Sequence, residues 1–196
     1  MIRQNPELIG FNVTIPYKQS VLAYCTHVSP EVVAIGASNC ISIKRLHGEK
    51  HELTAYNTDY FGWMESLKTW YFPSKNKALV LGSGGSSKAI QYALNTLHIP
   101  FEVAGRTLPL NYTNINLQTF DLIINCTPAG MLNQTLKELH LPYQQIDTSM
   151  HFYDLVYNPS ETAMMAHFKA AGAQVKNGLE MLHLQADKSW EIFQSI

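Results

Sequence analysis

The sequence predicts an α/β fold that contains a parallel β-sheet. Four short apolar runs have the length of strands: 78–81, 101–104, 121–125 and 152–156. Segments that begin and end like helices, at about 86–97 and 161–171, follow the first and last of these runs. Ala78-Leu79-Val80-Leu81 is continuously apolar, which is typical of a strand buried on both faces. Strands that alternate with helices need crossover connections, and these place the strands parallel to one another.

The residues before this region predict a smaller unit. The expected elements are a strand at 10–16, helices at about 17–27 and from Ser29, strands at 38–45 and 50–56 joined by a turn at 46–49, and a helix from Asn57 or Thr58 to about 70. One side of a last helix, at about 179–195, is expected to carry Leu179, Leu182, Ala186 and Trp190. Helical spacing places a second group on another face: Met181, Gln185 and Lys188.

Composition and charge exclude several classes of protein. The chain has 196 residues, of which 46% are hydrophobic, and this is enough for a packed core. The formal net charge is −1 and no long run of like charge is present, so we expect no nucleic-acid or anionic-membrane partner. The sequence contains no apolar stretch of about 18 residues, so no membrane span is predicted. The first residues also lack the apolar core of a signal peptide.

The cysteines and histidines indicate neither a disulfide framework nor a metal site. Cys25, Cys40 and Cys126 stand far apart and are odd in number, which predicts small buried side chains in a reducing cytoplasm. The eight histidines are interpreted as surface or turn residues, and no metal ligand is predicted among them.

A glycine-rich turn stands directly after the first apolar run and opens the next predicted helix, Gly82-Ser83-Gly84-Gly85-Ser86-Ser87. In this context the first glycine permits a tight turn, and the second lets the backbone approach a pyrophosphate. A small residue at the sixth position, Ser87, lets the helix and the strand pack closely. The N–H groups of the helix N-terminus favour phosphate. The turn therefore predicts a dinucleotide site, with an ordinary glycine-rich connection as the alternative.

The end of the next predicted strand indicates which dinucleotide binds. A site for NAD places an acidic residue about 20 residues further on, where it binds the ribose hydroxyls. Ala104-Gly105-Arg106-Thr107 occupies that place and contains no acid. An arginine pairs well with a 2′-phosphate, so Arg106 favours NADP over NAD. A solvated surface arginine is the alternative interpretation.

Three polar clusters are unusual for a purely structural chain. Lys18 ends the stretch 12–18 near the start of a predicted helix, where a cation is electrostatically unfavourable. Asn57-Thr58-Asp59 places a carboxylate at another helix start. The stretch 125–131 follows a buried strand, at the position where open α/β sheets bind ligands. The structural alternatives are an exposed lysine, a helix-capping acid and a strand-ending turn.

Eight motifs, in order and over nearly the whole chain, resemble the shikimate dehydrogenase family: GFNVTIPYK, IGASN, YNTDYFG, LGSGGSSKA, GRT, NCTPAGM, DLVYNP and NGLEMLHLQ. The resemblance implies an oxidoreductase that interconverts 3-dehydroshikimate and shikimate with NADP(H), in the biosynthesis of chorismate and the aromatic amino acids. It also implies a small-molecule substrate, a cytoplasmic location, and a monomer or homodimer.

The same resemblance assigns roles to individual residues. Lys18 and Asp59 match the catalytic pair, in which the lysine transfers a proton at the substrate oxygen and the aspartate holds the lysine. Four residues match positions around the substrate: Thr14, Asn39, Tyr157 and Gln185. The positions around the cofactor are matched by Gly82, Gly84, Gly85 and Ser86 at the phosphates, Arg106 and Thr107 at the adenosine phosphate, and Thr127, Met131, Gly178 and Met181 at the nicotinamide.

The family fold has two α/β domains with the site in the cleft between them. By resemblance, 59–177 forms a Rossmann-like NADP-binding domain with a parallel sheet, and 1–58 forms a smaller substrate domain that a C-terminal helix at 178–196 completes. The family also implies an N-terminal segment before the first motif, with a serine pair that binds the substrate carboxylate, so we expect the substrate domain to be truncated. Gly105 stands where the family often has asparagine, and Leu110 stands near the place of a second arginine, which weakens the preference for NADP.

Three alternatives stay open at this point. A quinate/shikimate dehydrogenase that uses NAD would share the motifs, but Arg106 argues against it. A non-catalytic dinucleotide-binding remnant or fragment of the family would fit a truncated substrate domain. A folate-type dehydrogenase has a similar layout and a catalytic lysine, but the YNTD and NGLEMLHLQ motifs favour the shikimate family.

Overall fold

Two β-sheets organise the chain, in a computed structural model that describes residues 2, 4–47, 50–68, 70–71 and 77–195. The first sheet has four strands: β1 (Gly10–Asn12), β2 (His27–Val28), β3 (Cys40–Arg45) and β4 (His51–Tyr56). Their spatial order is β1-β3-β4-β2. β3 and β4 form the predicted antiparallel hairpin, although residues 48 and 49 of its turn lie outside the described residues. β1 is antiparallel to β3, and β2 is parallel to β4.

The segment between β1 and β2 differs from the prediction of a helix at 17–27. It consists of consecutive turns followed by a short 3-10 helix, Ser20–Tyr24, in which no residue is buried. Most helical stability in proteins comes from packing of an apolar face, and in this segment Val21, Leu22 and Cys25 are only partly buried against the neighbouring core. Lys18 therefore lies in a turn and not in the first turn of an α-helix.

The second sheet has five parallel strands, which confirms the predicted fold class. They are β5 (Ala78–Leu81), β6 (Phe101–Ala104), β7 (Leu122–Asn125), β8 (His151–Asp154) and β9 (Gln174–Asn177). The spatial order is β6-β5-β7-β8-β9, and each neighbouring pair is parallel. Every residue of β5 and β7 is buried, as the continuous apolar runs predict.

Five α-helices accompany the sheets: α1 (Pro30–Ile35), α2 (Asp59–Leu67), α3 (Gly85–Thr96), α4 (Ala163–Ala170) and α5 (Leu179–Gln194). α3 forms the crossover from β5 to β6, and α4 forms the crossover from β8 to β9. α2 packs against both α3 and α5. Among the described residues, no helix is long and apolar enough to cross a membrane.

α5 does not bury the apolar side expected from its sequence. Trp190 is 56% exposed, whereas Met181, Gln185 and Ser189 are buried. Gly62 of α2 explains the difference, because a Cβ atom there would lie 2.7 Å from the Met181 carbonyl oxygen and 2.8 Å from the Gln185 nitrogen. The backbones of α2 and α5 therefore approach closely, and the buried stripe of α5 contains polar side chains.

The strand order brings the carboxyl ends of β5 and β7 side by side. The chain passes from β5 to β6 at one edge of the sheet and then returns to β7 on the other side of β5. In open α/β sheets, ligands bind outside the carboxyl ends of the strands at such a switch point. The glycine-rich turn follows β5 and the stretch 126–131 follows β7, so both lie at this crevice.

Candidate active site

A cavity of about 590 Å³ is lined by segments from both halves of the chain. Most of the predicted site residues lie in its wall: Thr14, Lys18, Asn39, Asp59, Ser86, Thr127, Met131, Tyr157, Gly178, Met181 and Gln185. The other predicted residues lie outside that wall: Gly82, Gly84, Gly85, Arg106 and Thr107. The cavity therefore collects side chains that are as much as 173 positions apart in the chain, from Asn12 to Gln185.

Lys18 and Asp59 form a close ion pair in this cavity. Lys18 Nζ donates a hydrogen bond to Asp59 Oδ2 at 2.7 Å, and it also donates to Ser86 Oγ at 3.3 Å. The side chains of the pair are only 12% and 7% exposed. Because little water screens the two charges, their attraction exceeds that of a surface salt bridge. Lys18 thereby contacts the first residue of α2 and the start of α3 at once.

The carboxylate of Asp59 is not needed to cap α2. Asn57 Oδ1 accepts hydrogen bonds from the backbone N–H groups of Asp59 at 3.0 Å and Tyr60 at 3.3 Å. Asn57 Nδ2 donates to the Ala37 carbonyl oxygen at 2.9 Å, which fixes the capping amide in place. The neighbouring side chain supplies the cap, and the Asp59 carboxylate is left to bind Lys18.

Two amide side chains meet on the other side of the cavity. Asn39 Nδ2 donates to Gln185 Oε1 at 2.9 Å and to Thr58 Oγ1 at 2.9 Å. Asn39 precedes β3 and Gln185 lies on α5, and both side chains are nearly buried. Thr14 and Tyr157 line the cavity from exposed positions. The wall therefore combines fixed, buried amides with exposed hydroxyl groups.

The glycine-rich turn has the geometry that a phosphate requires. Gly82 has φ of +103°, a conformation that favours glycine, and Ser87 Oγ donates to its carbonyl oxygen at 2.6 Å. Nothing lies within 4 Å of a Cβ atom built on Gly84, so the approach to the turn is open there. No side chain caps the N-terminus of α3. The N–H groups of that helix end can donate hydrogen bonds to an anion, and the residues of the turn fit a dinucleotide phosphate.

The turn also touches the cavity although its glycines lie outside the wall. A Cβ atom on Gly82 would lie 2.9 Å from Thr127 Cγ2, and one on Gly85 would lie 3.2 Å from Lys18 Cβ. Side chains at these positions would push against two residues of the cavity. The small size of these glycines thus brings the turn against the Lys18–Asp59 pair.

Arg106 and Thr107 follow β6 and lie at the surface. Both are exposed, and Arg106 has no ion pair or hydrogen bond within the described part of the chain. The Gly105 N–H donates to the Leu110 carbonyl oxygen at 3.1 Å, so the turn after β6 folds back on itself. The guanidinium of Arg106 is therefore open to an external anion.

A buried carboxylate holds the loops that follow β7 and β8. Asp154, which has no exposed surface, accepts hydrogen bonds from Asn125 Nδ2 at 2.8 Å, the Val156 N–H at 3.0 Å and Thr162 Oγ1 at 2.7 Å. Asn125 Oδ1 in turn accepts from Thr127 Oγ1 at 2.7 Å. Burial raises the pKa of Asp154 to about 6, and these hydrogen bonds oppose the shift without cancelling it.

Several residues of the site were not predicted from the sequence. The cavity wall also contains Asn12, Cys126, Leu132, Asn133 and Gln134. Asn12 and Cys126 lie inside motifs that the sequence singled out, so their proximity to the site could have been inferred. Thr58 and Ser189 form a second layer behind the amides, and only the packing of α2 on α5 reveals Ser189.

Comparison with known proteins identifies the family. The family model for the shikimate dehydrogenase substrate binding domain matches residues 1–41. A shikimate dehydrogenase (NADP(+)) of Clostridium botulinum is 37% identical in an alignment of 194 positions that covers 90% of this chain and 72% of that protein. One from Methanococcus maripaludis is 35% identical in an alignment of 208 positions that covers 95% of this chain and 73% of that protein.

A solved structure agrees with these relatives. Shikimate 5-dehydrogenase from Thermus thermophilus, in complex with NADP(H) and shikimate, superimposes with a TM-score of 0.81 at 30% identity. The match covers all of this chain and 76% of that one. The parallel sheet and the second, smaller sheet thus both have counterparts in that structure. This chain belongs to the shikimate dehydrogenase family.

Proposed function

We propose that this chain catalyses the NADP-dependent interconversion of shikimate and 3-dehydroshikimate. The observation that carries the proposal is the Lys18–Asp59 pair at 2.7 Å, which touches Ser86 of the glycine-rich turn in one cavity. A proton-transfer group and a dinucleotide loop that meet in one cavity are what a carbonyl reduction by hydride transfer requires. The names of the relatives, which specify NADP(+), support this choice of cofactor over NAD.

The chemistry divides between the cofactor and the side chains. NADPH, when bound, supplies the hydride that reaches the substrate carbonyl carbon. Lys18 Nζ gives a proton to the oxygen that becomes the hydroxyl, and takes it back in the reverse reaction. Asp59 holds the ammonium in position through the 2.7 Å hydrogen bond. A positioned acid of this kind contributes on the order of 10²–10⁴ in rate.

The remaining residues are assigned by their place around the cavity. We propose that Thr14, Asn39, Tyr157 and Gln185 bind the substrate hydroxyls. The cofactor assignment includes Gly82, Gly84, Gly85 and Ser86 at the phosphates, Arg106 and Thr107 at the 2′-phosphate end, and Thr127, Met131, Gly178 and Met181 at the nicotinamide. The N-terminus of α3, which no described side chain caps, and the exposed guanidinium of Arg106 support the phosphate assignments.

The domain division and the cellular setting are part of the proposal. We assign 59–177 to dinucleotide binding and 1–58 with 178–196 to substrate binding, which the separate sheets and the contact of α5 with β3 support. A cytoplasmic enzyme, as a monomer or homodimer, is the setting we propose. The three free cysteines fit a reducing compartment.

The test is reduction of NADP by the purified chain with shikimate as substrate, followed through the absorbance of NADPH, with NAD in a parallel assay. We expect turnover with a clear preference for NADP. A strong preference for NAD would indicate a quinate/shikimate dehydrogenase and contradict the cofactor assignment. Folded protein that binds NADPH without turnover would indicate a dinucleotide-binding remnant.

A further inference from the structure

A second layer of polar side chains lies behind the amides of the cavity. Thr58, at the start of α2, and Ser189, on α5, are each 1% exposed, and their hydroxyl oxygens are 2.9 Å apart. Neither residue lines the cavity, but both contact residues that do. Buried hydroxyls of this kind must be hydrogen-bonded, so their partners can be traced one by one.

Each hydroxyl has one hydrogen, and the shorter distances favour one direction for these bonds. Ser189 Oγ donates its one hydrogen to the Gln185 carbonyl oxygen at 2.9 Å. Ser189 Oγ then accepts the hydrogen of Thr58 Oγ1, because the alternative acceptor, Gln185 Oε1, is further away at 3.3 Å. Thr58 Oγ1 accepts from Asn39 Nδ2 at 2.9 Å. The series of hydrogen bonds therefore runs from Asn39 through Thr58 to Ser189, and it ends at the Gln185 carbonyl oxygen in the backbone of α5.

This direction determines what the amides can offer to a ligand. Both Nδ2 hydrogens of Asn39 are used, on Thr58 and on Gln185 Oε1, and Asn39 Oδ1 accepts from the Thr58 N–H at 2.6 Å. Gln185 Oε1 therefore faces Asn39, and Gln185 Nε2 donates one of its two hydrogens to the Leu182 carbonyl oxygen at 2.9 Å. No other acceptor in the described chain takes its second hydrogen. Gln185 is thus left with a donor, and Asn39 with a lone pair on Oδ1.

The close packing of α2 and α5 makes the second layer possible. Gly62 lets the two helix backbones approach, since a Cβ atom there would lie 2.9 Å from Gln185 Cβ. One turn earlier on α2, the same approach brings Thr58 to Ser189. A serine on α5 at this position is therefore buried against a binding residue, and it does not face solvent as serines on helices usually do.

We propose that Ser189 is a positioning residue for substrate recognition, which acts through Thr58 to hold Asn39 and Gln185 in one hydrogen-bonded orientation. The inference rests on the proposed function, because it takes shikimate as the ligand of these two amides. With Ser189 in place, the ligand meets one fixed donor and one fixed acceptor. Without it, the Thr58 hydroxyl hydrogen can turn to Gln185 Oε1, and the lone pairs that Thr58 Oγ1 presents to Asn39 lose their fixed orientation.

The experiment compares Ser189→Ala with Ser195→Ala, a matched change at the exposed end of the same helix, where Ser195 Oγ donates to the Ile192 carbonyl oxygen. Loss of one hydrogen bond should raise the KM for shikimate about fivefold in Ser189→Ala. The kcat and the KM for NADP should change less than about twofold, and Ser195→Ala should resemble the wild type. Calorimetric Kd values for shikimate should follow the KM values, and they do not depend on turnover.

A second set of variants tests the route through Thr58. Thr58→Val should raise the KM for shikimate by about tenfold or more, because it leaves a buried Asn39 hydrogen without an acceptor. Thr58→Ser should recover most of this loss, and Ser189→Ala should add nothing in the Thr58→Val background. A Ser189→Ala protein with a lower Tm but an unchanged KM and Kd for shikimate would overturn the inference. A wild type that binds shikimate but does not turn it over would contradict only the proposed function.

Discussion

The proposed substrate side and the proposed cofactor side of the site are constructed differently. On the side of the four-stranded sheet, Asn39, Thr58 and Gln185 are nearly buried and bind one another through side-chain hydrogen bonds. On the side of the five-stranded sheet, the predicted binding groups outside the cavity wall are the open backbone at Gly84 and the exposed guanidinium of Arg106. Groups that hold one another are preorganised for a small, specific ligand, whereas open groups complete their hydrogen bonds only when the cofactor arrives.

This difference predicts how substitutions on each side should behave. Changes among the buried amides should alter substrate affinity and stability together, because they leave buried polar atoms without partners. Changes at the exposed cofactor groups should alter affinity alone. Lys18 contacts both sides, through Asp59 and through Ser86, so it is the residue whose removal should have the largest effect.

Lys18→Ala would break the connection between the two sides. We expect kcat to fall about 10²–10⁴-fold, because the proton donor is lost. The affinity for NADPH, measured by fluorescence titration, should stay within about threefold of the wild type. Lys88→Ala is the control, since Lys88 lies nearby on α3 and its Nζ binds only Gln19 Oε1 at 3.2 Å among the described residues. Turnover retained in Lys18→Ala would remove Lys18 from its proposed role.

Asp154→Asn would show whether the cofactor side also depends on a buried side chain. The pKa of Asp154 is raised to about 6, above its value of about 3.9 in the unfolded chain, so this carboxyl favours the folded state at low pH. That contribution is lost as the pH rises through 6. It amounts to on the order of 3 kcal/mol.

The measurement is urea unfolding of the wild type and Asp154→Asn at pH values from 4 to 8. The wild type should lose free energy of unfolding relative to the variant as the pH rises from 4 to 7, because only the wild type titrates at this position. Other groups cancel in the difference between the two proteins. A difference that does not change with pH would show that Asp154 titrates normally.

Arg106→Ala should have the smallest effect of these substitutions on the protein. It tests whether an exposed group on the cofactor side alters cofactor affinity without altering stability. Loss of a charged hydrogen bond to the 2′-phosphate should raise the KM for NADP about tenfold and leave the KM for NAD nearly unchanged. The Tm should not change, because Arg106 is exposed. Lys169→Ala, which removes an exposed cation paired with Glu161, is the control. Equal effects on NADP and NAD would refute the assignment of Arg106 to the 2′-phosphate.

Local sequence pattern was sufficient to predict an element wherever the residues of that element themselves favour its conformation. The apolar run of β5 and the glycine-rich turn before α3 were predicted to within one residue, because burial on both faces and backbone freedom leave direct marks in the sequence. The helix predicted at 17–27 was wrong because its apolar residues are only partly buried against the core of the four-stranded sheet. β9 was not predicted, since Gln174-Val175-Lys176-Asn177 has a single apolar residue and forms a strand by pairing with β8.

The sequence by itself determined four of the five strands of the parallel sheet, the glycine-rich turn, and the two separate clusters that contain Lys18 and Asp59, because each depends on residue types at short spacing. Only the tertiary structure decided that Lys18 and Asp59 meet at 2.7 Å, that Ser86 joins them, and that Ser189 stands behind the amides. These contacts join residues that are 41, 68 and 131 positions apart. Such contacts arise from the order in which the strands lie side by side and from the close approach of α2 and α5 at Gly62. No local sequence pattern encodes either arrangement.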